Sequence, residues 1–508
     1  MTVGGAVPAT MPANLGNLLR GGANHALSDL SRPHATTDYT FDELNAMADA
    51  VARGLVAAGH GPGARIGLVG ANSARVLAVL FGALRAGCVV VPINGRAGAE
   101  TVAFMCADAA LGLVFSDAQG RSAIPAGLAT IPLDTDDYQA FVQPGAFEAV
   151  VPNERETAMI LYTSGSTGRP KGVVLSHRSQ TTIVAGYITP AMVECLRSGP
   201  AIVAAPLFHM NGLVFSMLTF HLRGSVVLMA RFEAVSFIEA LGRHRVSVLS
   251  GVPTMTALIA QETEALARND LSGVLLVIIG SAPLSDTVLA QVHEIFPQAT
   301  VINSYGTTET GAGYFGAHPD GQPRPHMSVG HPQPHAELRL VGGDTPEQGV
   351  LQVRSPTQMT EYLNQPELTA QRVRDGWIDT GDIMRRDAHG FFYFVGRADD
   401  MFVCSGENIY PGAVERILER HPDVLEVAVV PVPDDSRGHI PVAFIVARAG
   451  TRPSEQAVKD HVLAHAAPFM HPRRVWFLEQ MPLGGTNKID RHVLKAEALR
   501  LAGRSAEI

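Results

Sequence analysis

The sequence predicts an α/β fold: a large N-terminal domain of two α/β layers plus a small β-barrel, followed by a smaller α+β C-terminal domain. Three features predict it. Short apolar runs alternate with helical patterns twice, first between residues 40 and 91 and again between 201 and 302. That alternation marks parallel strands covered by helices. From about residue 330 to 394 the texture shortens to alternating segments broken by turns, which is β-rich. After residue 396 a compact stretch sets two strands between two helical segments.

Each element has a local reason. Thr40-Phe-Asp-Glu43 reads as a capping box, Thr40 being the N-cap and Glu43 reaching back to it. Leu44, Met47, Ala48, Val51 and Leu55 follow at helical spacing, and Gly59 stops the helix. An apolar run at 66–69, a helical stretch at 73–85 and a second run at 88–91 complete the first repeat. Runs at 201–204, 225–229, 247–249, 274–279 and 300–302 supply the second layer, so the layers divide near residue 200. The β-rich region holds 338–341, 349–353 and 391–395. In the tail, a helix at 414–420 precedes strands at 424–430 and 441–447 and a helix at 454–466. The boundary falls at Arg397 to Asp400, giving domains 1–397 and 398–508.

Composition excludes several function classes. A net charge of -9 over 508 residues provides no cationic field for nucleic acid. Cys88, Cys106, Cys195 and Cys404 lie far apart, so neither a redox pair nor a zinc framework is visible, and buried thiols in a reducing compartment are expected. The first residues lack a basic start followed by an apolar core. The run at 274–279 is far short of the ~20 residues of a membrane helix. A cytoplasmic protein with no membrane span is expected, and a homodimer is compatible with the sequence.

The stretch YTSGSTGRPKG (162–172) is built to hold an anion. Its glycines let successive backbone N–H groups converge on phosphate, while hydroxyls and a lysine add donors. It is not the common phosphate loop, because Pro170 precedes Lys171 and Gly172 follows it. Neither a dinucleotide fingerprint nor a nucleophile elbow is present.

Together with YGTTE (305–309), GSAP (280–283), WIDTGD (377–382), Gly396-Arg397 and GGTNKIDR (484–491), this stretch resembles the adenylate-forming superfamily. That superfamily includes acyl- and aryl-CoA synthetases, firefly luciferase and peptide-synthetase adenylation domains. EYLNQP (361–366) and SGENIYP (405–411) are most similar to aryl- and acyl-CoA ligases such as 4-chlorobenzoate and feruloyl CoA ligase. The resemblance implies that Thr163, Ser164, Gly165, Ser166, Thr167, Gly168 and Lys171 hold the β- and γ-phosphates of ATP. It places Gly280, Ser281 and Ala282 along adenine, with Asn303, Ser304, Tyr305 and Gly306 nearby, Asp382 at the ribose, and Arg397 on the ribose or phosphate side. Thr308 would contact phosphate and Glu309 would bind Mg²⁺, a hard cation that suits a carboxylate.

Lys488 would bridge the substrate carboxylate and the α-phosphate, although Asn487 stands where glycine is usual. The implied reaction runs from acid and ATP to acyl-AMP and pyrophosphate, then to an acyl-CoA and AMP. The resemblance also implies a mobile C-terminal domain, with Asp399 at its hinge. Ser405, Gly406 and Glu407 would then line the CoA tunnel, glycine at 406 keeping it clear for the thiol. Arg85, Arg437, Arg473 and Arg474 are candidates for the CoA phosphates and adenine.

His209 would stand beside the carboxylate, with a buried structural histidine as the alternative. Met210, Asn211, Ser250, Ile279, Ser304, Gly306, Gly311 and Ala312 would wall the acid pocket. These are small or uncharged, so a second carboxylate is disfavoured. An aromatic (benzoate or hydroxycinnamate type) or medium-chain monocarboxylic acid is expected. A fatty-acyl-CoA synthetase, or an enzyme loading a separate carrier protein, is the alternative. A catalytically silent nucleotide sensor is disfavoured, because Glu309 and Lys488 are both present.

Overall fold

The computed structural model describes residues 10–32, 35–153, 155–163, 169–484 and 488–503. Two seven-stranded sheets dominate it. One runs Thr300–Asn303, Leu276–Ile279, Val248–Gly251, Ala201–Val203, Val226–Leu228, His25–Arg32 and Ala35–Thr40, parallel except for its last pair. The other runs Glu361–Tyr362, Lys171–Ser176, Thr157–Thr163, Val89–Ile93, Arg65–Val69, Leu113–Ser116 and Thr130–Pro132. Alternation along the parallel strands decides which side chains face which layer. Leu276 and Ile278 join the large core that also takes Ile66, Val90 and Phe115, whereas Val277 and Ile279 join a separate core on the outer face.

The helix Phe41–Ala57 starts as the sequence predicts. Thr40 Oγ1 accepts from Glu43 N–H, and the Glu43 carboxylate accepts from Thr40 N–H at 2.8 Å. Gly59 follows at φ +83°. The next helix, Ala74–Arg85, is capped by Ser73 and is buried along nearly its whole length.

The expected barrel takes the form of a five-stranded antiparallel sheet. Its centre is Trp377–Arg386, which pairs with Gln348–Arg354 on one edge. Its other edge is shared by Val373–Arg374 and Phe392–Arg397.

The C-terminal domain has its own sheet and two cores. Val427 and Val429 face the helices Pro411–Leu418 and Glu455–His465, while Ala428, Val430 and Val432 face Arg491–Leu501. Covering both faces of one sheet makes this a unit that can move as a body. Among the described residues no helix is long and apolar enough to cross a membrane. All four cysteines are free, three of them buried.

Arg85, expected at the CoA phosphates, is instead part of the N-terminal core. It is 2% exposed. Its five N–H groups donate to Asp49 Oδ1 at 2.6 Å, to the carbonyls of Asn45, Leu19 and Gly16, and to Asn45 Oδ1. A guanidinium with every donor occupied inside the protein has none left for phosphate.

His177 gives the fold a pH dependence. It is 1% exposed, its Nδ1 accepts from Leu15 N–H at 3.1 Å, and burial lowers its pKa to about 4. The unfolded chain therefore takes up a proton near pH 6.5 that the folded chain refuses. Stability should be full above pH 6.5 and fall as pH drops towards 4, by up to about 1.4 kcal/mol per pH unit. Denaturant unfolding at pH 7.5, 5.5 and 4.5 measures this, and His177→Asn should flatten the profile. An unchanged profile would contradict the assignment.

Candidate active site

Two antiparallel strand pairs, the loop after Leu276–Ile279 and one further strand build the N-terminal half of the site. Thr157–Thr163 and Lys171–Ser176 pair antiparallel, with Thr163 opposite Lys171. These strands flank the glycine-rich stretch, of which Ser164, Gly165, Ser166, Thr167 and Gly168 lie outside the described residues. Its stem is anchored where Tyr162 O–H donates to Asp108 Oδ2 at 2.7 Å.

Gly306–Thr307 and Gly311–Ala312 form a second hairpin that presents Thr308 and Glu309 at its turn. The two strands are so close that a Cβ at Gly306 would lie 2.5 Å from the Gly311 carbonyl. Gly311 sits at φ +72° and would meet the Thr357 carbonyl, so its role is to shape this hairpin rather than to wall the acid pocket. Tyr362 O–H donates to Glu309 Oε1 at 3.0 Å. Because Tyr362 also pairs with Val173, the strand Glu361–Tyr362 ties Glu309 to the strand Lys171–Ser176.

Gly280, Ser281 and Ala282, the expected adenine contacts, line the cavity, and Ser281 is held at φ +65°. A non-glycine residue there stores strain of the kind found at ligand clamps. A Cβ at Gly280 would come 2.7 Å from the Ser304 carbonyl. Asn303 Nδ2 donates to the Met327 carbonyl, fixing the strand end.

Asp382 is 3% exposed and accepts from Tyr305 O–H and, at 2.9 Å, from Arg397 Nη1. Burial raises its pKa, and the Arg397 charge opposes this. Arg397 also grips Asp399 through Nε and Nη2. Burial works to lower the pKa of Arg397, yet the two carboxylates outweigh it and raise it. Asp382, the expected ribose contact, and Asp399, the expected hinge, thus share one guanidinium.

The C-terminal domain closes the site. Lys488 lies on the wall of the cavity of about 710 Å³ that also receives Thr308, Asp382, Arg397 and His209. Burial lowers the pKa of Lys488. Its backbone carbonyl accepts from Gly484 N–H beside the antiparallel bridge between Leu483 and Ile489. Gly485, Thr486 and Asn487 lie outside the described residues. His209 is the N-cap residue of the helix Met210–His221 but makes no capping bond with its side chain. Burial, and next the Lys488 charge, lower its pKa to about 4, so it is a neutral imidazole at pH 7.

Around the expected acid-pocket residues the cavity is more apolar than the sequence suggests. Met210, Asn211, Ser304 and Ala312 line it, but Ser250 stands behind, donating to Asn211 Oδ1 at 3.1 Å. Ile279 points into the opposite core, and Ile278 takes its place on the cavity. A one-residue shift along a strand flips the face. Val214, Leu218 and Met255 also line the cavity. Met210, Val214 and Leu218 recur every four residues on one helix, a spacing that sequence reading could have used.

The CoA candidates divide. Ser405, Gly406 and Glu407 are exposed and away from the cavity wall. Cys404 pairs with Glu407, and Ser405 and Gly406 between them have φ of 54° and 87°. Two positive values define a tight hairpin turn, which is why glycine stands at 406. A Cβ there would meet no protein atom within 4 Å. Ser405 N–H donates to the Arg437 carbonyl. Arg473 donates to the His471 ring, whose pKa is lowered by burial and then by Arg473, Lys459 and Arg437. Arg437 and Arg473 therefore share one cationic neighbourhood, beside the exposed Arg474.

Comparison with known proteins decides the family. The model for AMP-binding enzymes matches residues 20–363, and that for the AMP-binding enzyme C-terminal domain matches 413–488. The chain belongs to the AMP-binding enzymes. Among its relatives in this family, a feruloyl-CoA synthase from Amycolatopsis sp is 32% identical over 93% of this chain and 96% of its own. A fatty acid–[acyl-carrier-protein] ligase, ScoC from Streptomyces coeruleorubidus, is 29% identical over 90% and 91%. The solved structure of the anthranilate CoA ligase AuaEII with anthranoyl-AMP superposes with a TM-score of 0.84 at 25% identity, covering 97% of this chain and 98% of that one. These AMP-binding enzymes extend over nearly the whole chain, both domains included.

Proposed function

We propose that this AMP-binding enzyme is an ATP-dependent carboxylic acid–CoA ligase acting through an acyl-adenylate. The observation that carries the reading is the convergence of Lys488 from one domain with His209, Thr308 and Asp382 from the other on a single cavity. A carboxylate must approach the α-phosphate of a polyanion, and charge is the obstacle. The Lys488 ammonium lies where it can hold both partners. Neutral His209 orients the carboxylate without adding charge, and Asp382 accepts the ribose hydroxyls. Thr308 and the phosphate-loop amides hold the departing pyrophosphate. CoA sulfur then attacks the acyl carbon and AMP leaves.

Glu309 fits a resident Mg²⁺. Its carboxylate is fixed by Tyr362 at the hairpin turn beside Thr308, and carboxylate oxygen is the donor this ion takes. When bound, the ion would supply charge neutralisation at the phosphates. The domain boundary is placed at residues 397/398, with Asp399 as hinge, supported by the Arg397–Asp399 pairing at the junction. Arg437, Arg473 and Arg474 are assigned to the CoA phosphates, and the enzyme to the cytoplasm.

The acid is an apolar monocarboxylate, aromatic or medium-chain. Val214, Leu218, Met255 and Ile278 offer it apolar contact, and Asn211 is the polar group among them. A panel running from benzoates through cinnamates to C4–C12 fatty acids, assayed for AMP release, tests this. Activity should appear with an apolar monocarboxylate and depend on CoA. AMP release that responds to an acyl carrier protein and not to CoA would favour the carrier-loading alternative, which has a relative in ScoC.

A further inference from the structure

Something must hold the C-terminal domain where Lys488 meets the cavity, and one contact outside the reacting groups does so. The helix Asp286–Ile295 of the N-terminal domain begins at Ser285, whose Oγ accepts from Val288 N–H. The end of the C-terminal helix Pro411–Leu418 comes to rest against that start. Thr287 Oγ1 donates to the Glu419 carbonyl at 3.0 Å. Asp286 accepts from His326 Nε2 at 2.6 Å on its own domain and faces Arg420 Nη2 at 3.6 Å on the other. One turn earlier on the same helix, Arg416 donates through both terminal nitrogens to the Val395 carbonyl at 3.3 Å.

Chain geometry makes this contact consequential. Val414 and Leu418 lock the helix into the C-terminal core. Glu415 pairs with Arg491 at 2.8 Å, three residues beyond Lys488. Docking the helix end therefore sets the position of the lysine through one rigid path of packed and paired residues. Burial, and then the Glu415 charge, push the Glu419 carboxyl up to about 8, with Ser285 and Arg416 opposing and Asp286 adding. A carboxyl held uncharged there spares the contact a third negative group beside Asp286 and Glu415.

We propose that Thr287 and Arg420, acting with Asp286, are positioning residues for the adenylation step: they latch the C-terminal domain so that Lys488 stays in the cavity. The proposal rests on the ligase reading. Thiolysis brings a thiol to an already formed mixed anhydride and does not face the polyanion, so it does not need the lysine held there. The two half-reactions should respond differently.

The test is the double variant Thr287→Val/Arg420→Ala in the full chain, with Asp286 left intact because it lines the cavity. A contact of either kind contributes a factor of about two to ten. Acid-dependent ATP–pyrophosphate exchange should fall about tenfold, while thiolysis of a supplied acyl-adenylate by CoA stays within twofold. Restoring the charge with Arg420→Lys should recover part of the exchange. Amide hydrogen exchange without substrates should show lost protection at residues 285–295 and 411–420 only. An equal fall in both half-reactions, unchanged pyrophosphate exchange, or unchanged protection would overturn the latch. If the wild type exchanged pyrophosphate with no acid, the ligase reading would fail, while the protection measurement would still judge the contact.

Discussion

Replacing Lys488 with alanine is expected to lower acid-dependent ATP–pyrophosphate exchange by roughly 10²–10³-fold. The cause is electrostatic. Lys488 is half-buried on the cavity wall, where burial has already lowered its pKa and weakened competition from water. An ammonium in such a place acts far more strongly on an approaching carboxylate and α-phosphate than it would in bulk solvent. Nucleotide binding should change little, because Gly280, Asp382 and Thr308 come from the other domain. Thiolysis of a supplied acyl-adenylate should persist. Measuring the half-reactions separately checks this: exchange at the wild-type rate would remove the lysine from the mechanism. His209 gives a companion expectation. Its neutral imidazole should make His209→Ala less damaging than Lys488→Ala, since no charge is lost with it.

The second large effect concerns stability. Arg85→Ala should destabilise the N-terminal domain by about 3–5 kcal/mol. The substitution strands the Asp49 carboxylate, which is 7% exposed, and removes the donor to three carbonyls. Gly16 packs so tightly on the Arg85 stem that a Cβ there would lie 2.6 Å from Arg85 Cγ, so the surrounding chain is shaped to this one side chain. Denaturant unfolding of the purified variant measures the loss. The KM for CoA of whatever enzyme remains folded should equal that of the wild type. A stable variant with a raised KM for CoA would return Arg85 to the phosphate role.

Much of the fold was legible because local signals agreed with the global arrangement. The Thr40–Glu43 box and the buried runs at 66–69 and 274–279 form where spacing and capping predict. The strand His25–Arg32 was not legible. It carries Ser28 and Asp29 buried among its apolar residues, because Asp29 accepts from Ala74 N–H at a helix start. Such a strand shows no alternation to read, and its pairing with Val226–Leu228 and Ala35–Thr40 defines it. That pairing also carries an N-terminal segment into the layer formed mostly after residue 200.

For the site, motif order located Thr308, Asp382, Arg397, His209 and Lys488 on one cavity. Facing was harder. Ile278 and Ile279 are chemically identical, and only sheet register decides which meets the ligand. At Gly406 the positive φ of a tight turn already calls for glycine, a reason that the motif alone does not reveal. Arg85 misled because a cation in sequence does not reveal whether its five donors are already taken.

The most direct measurement follows oxygen. An accepted acid labelled with ¹⁸O in both carboxylate oxygens is turned over with ATP and CoA, and the nucleotide product is examined by mass spectrometry. Attack of the carboxylate on the α-phosphate, followed by cleavage of the acyl C–O bond by the thiol, leaves one labelled oxygen on AMP. The account predicts AMP carrying a single ¹⁸O. ADP with labelled phosphate, or AMP without label, would contradict it.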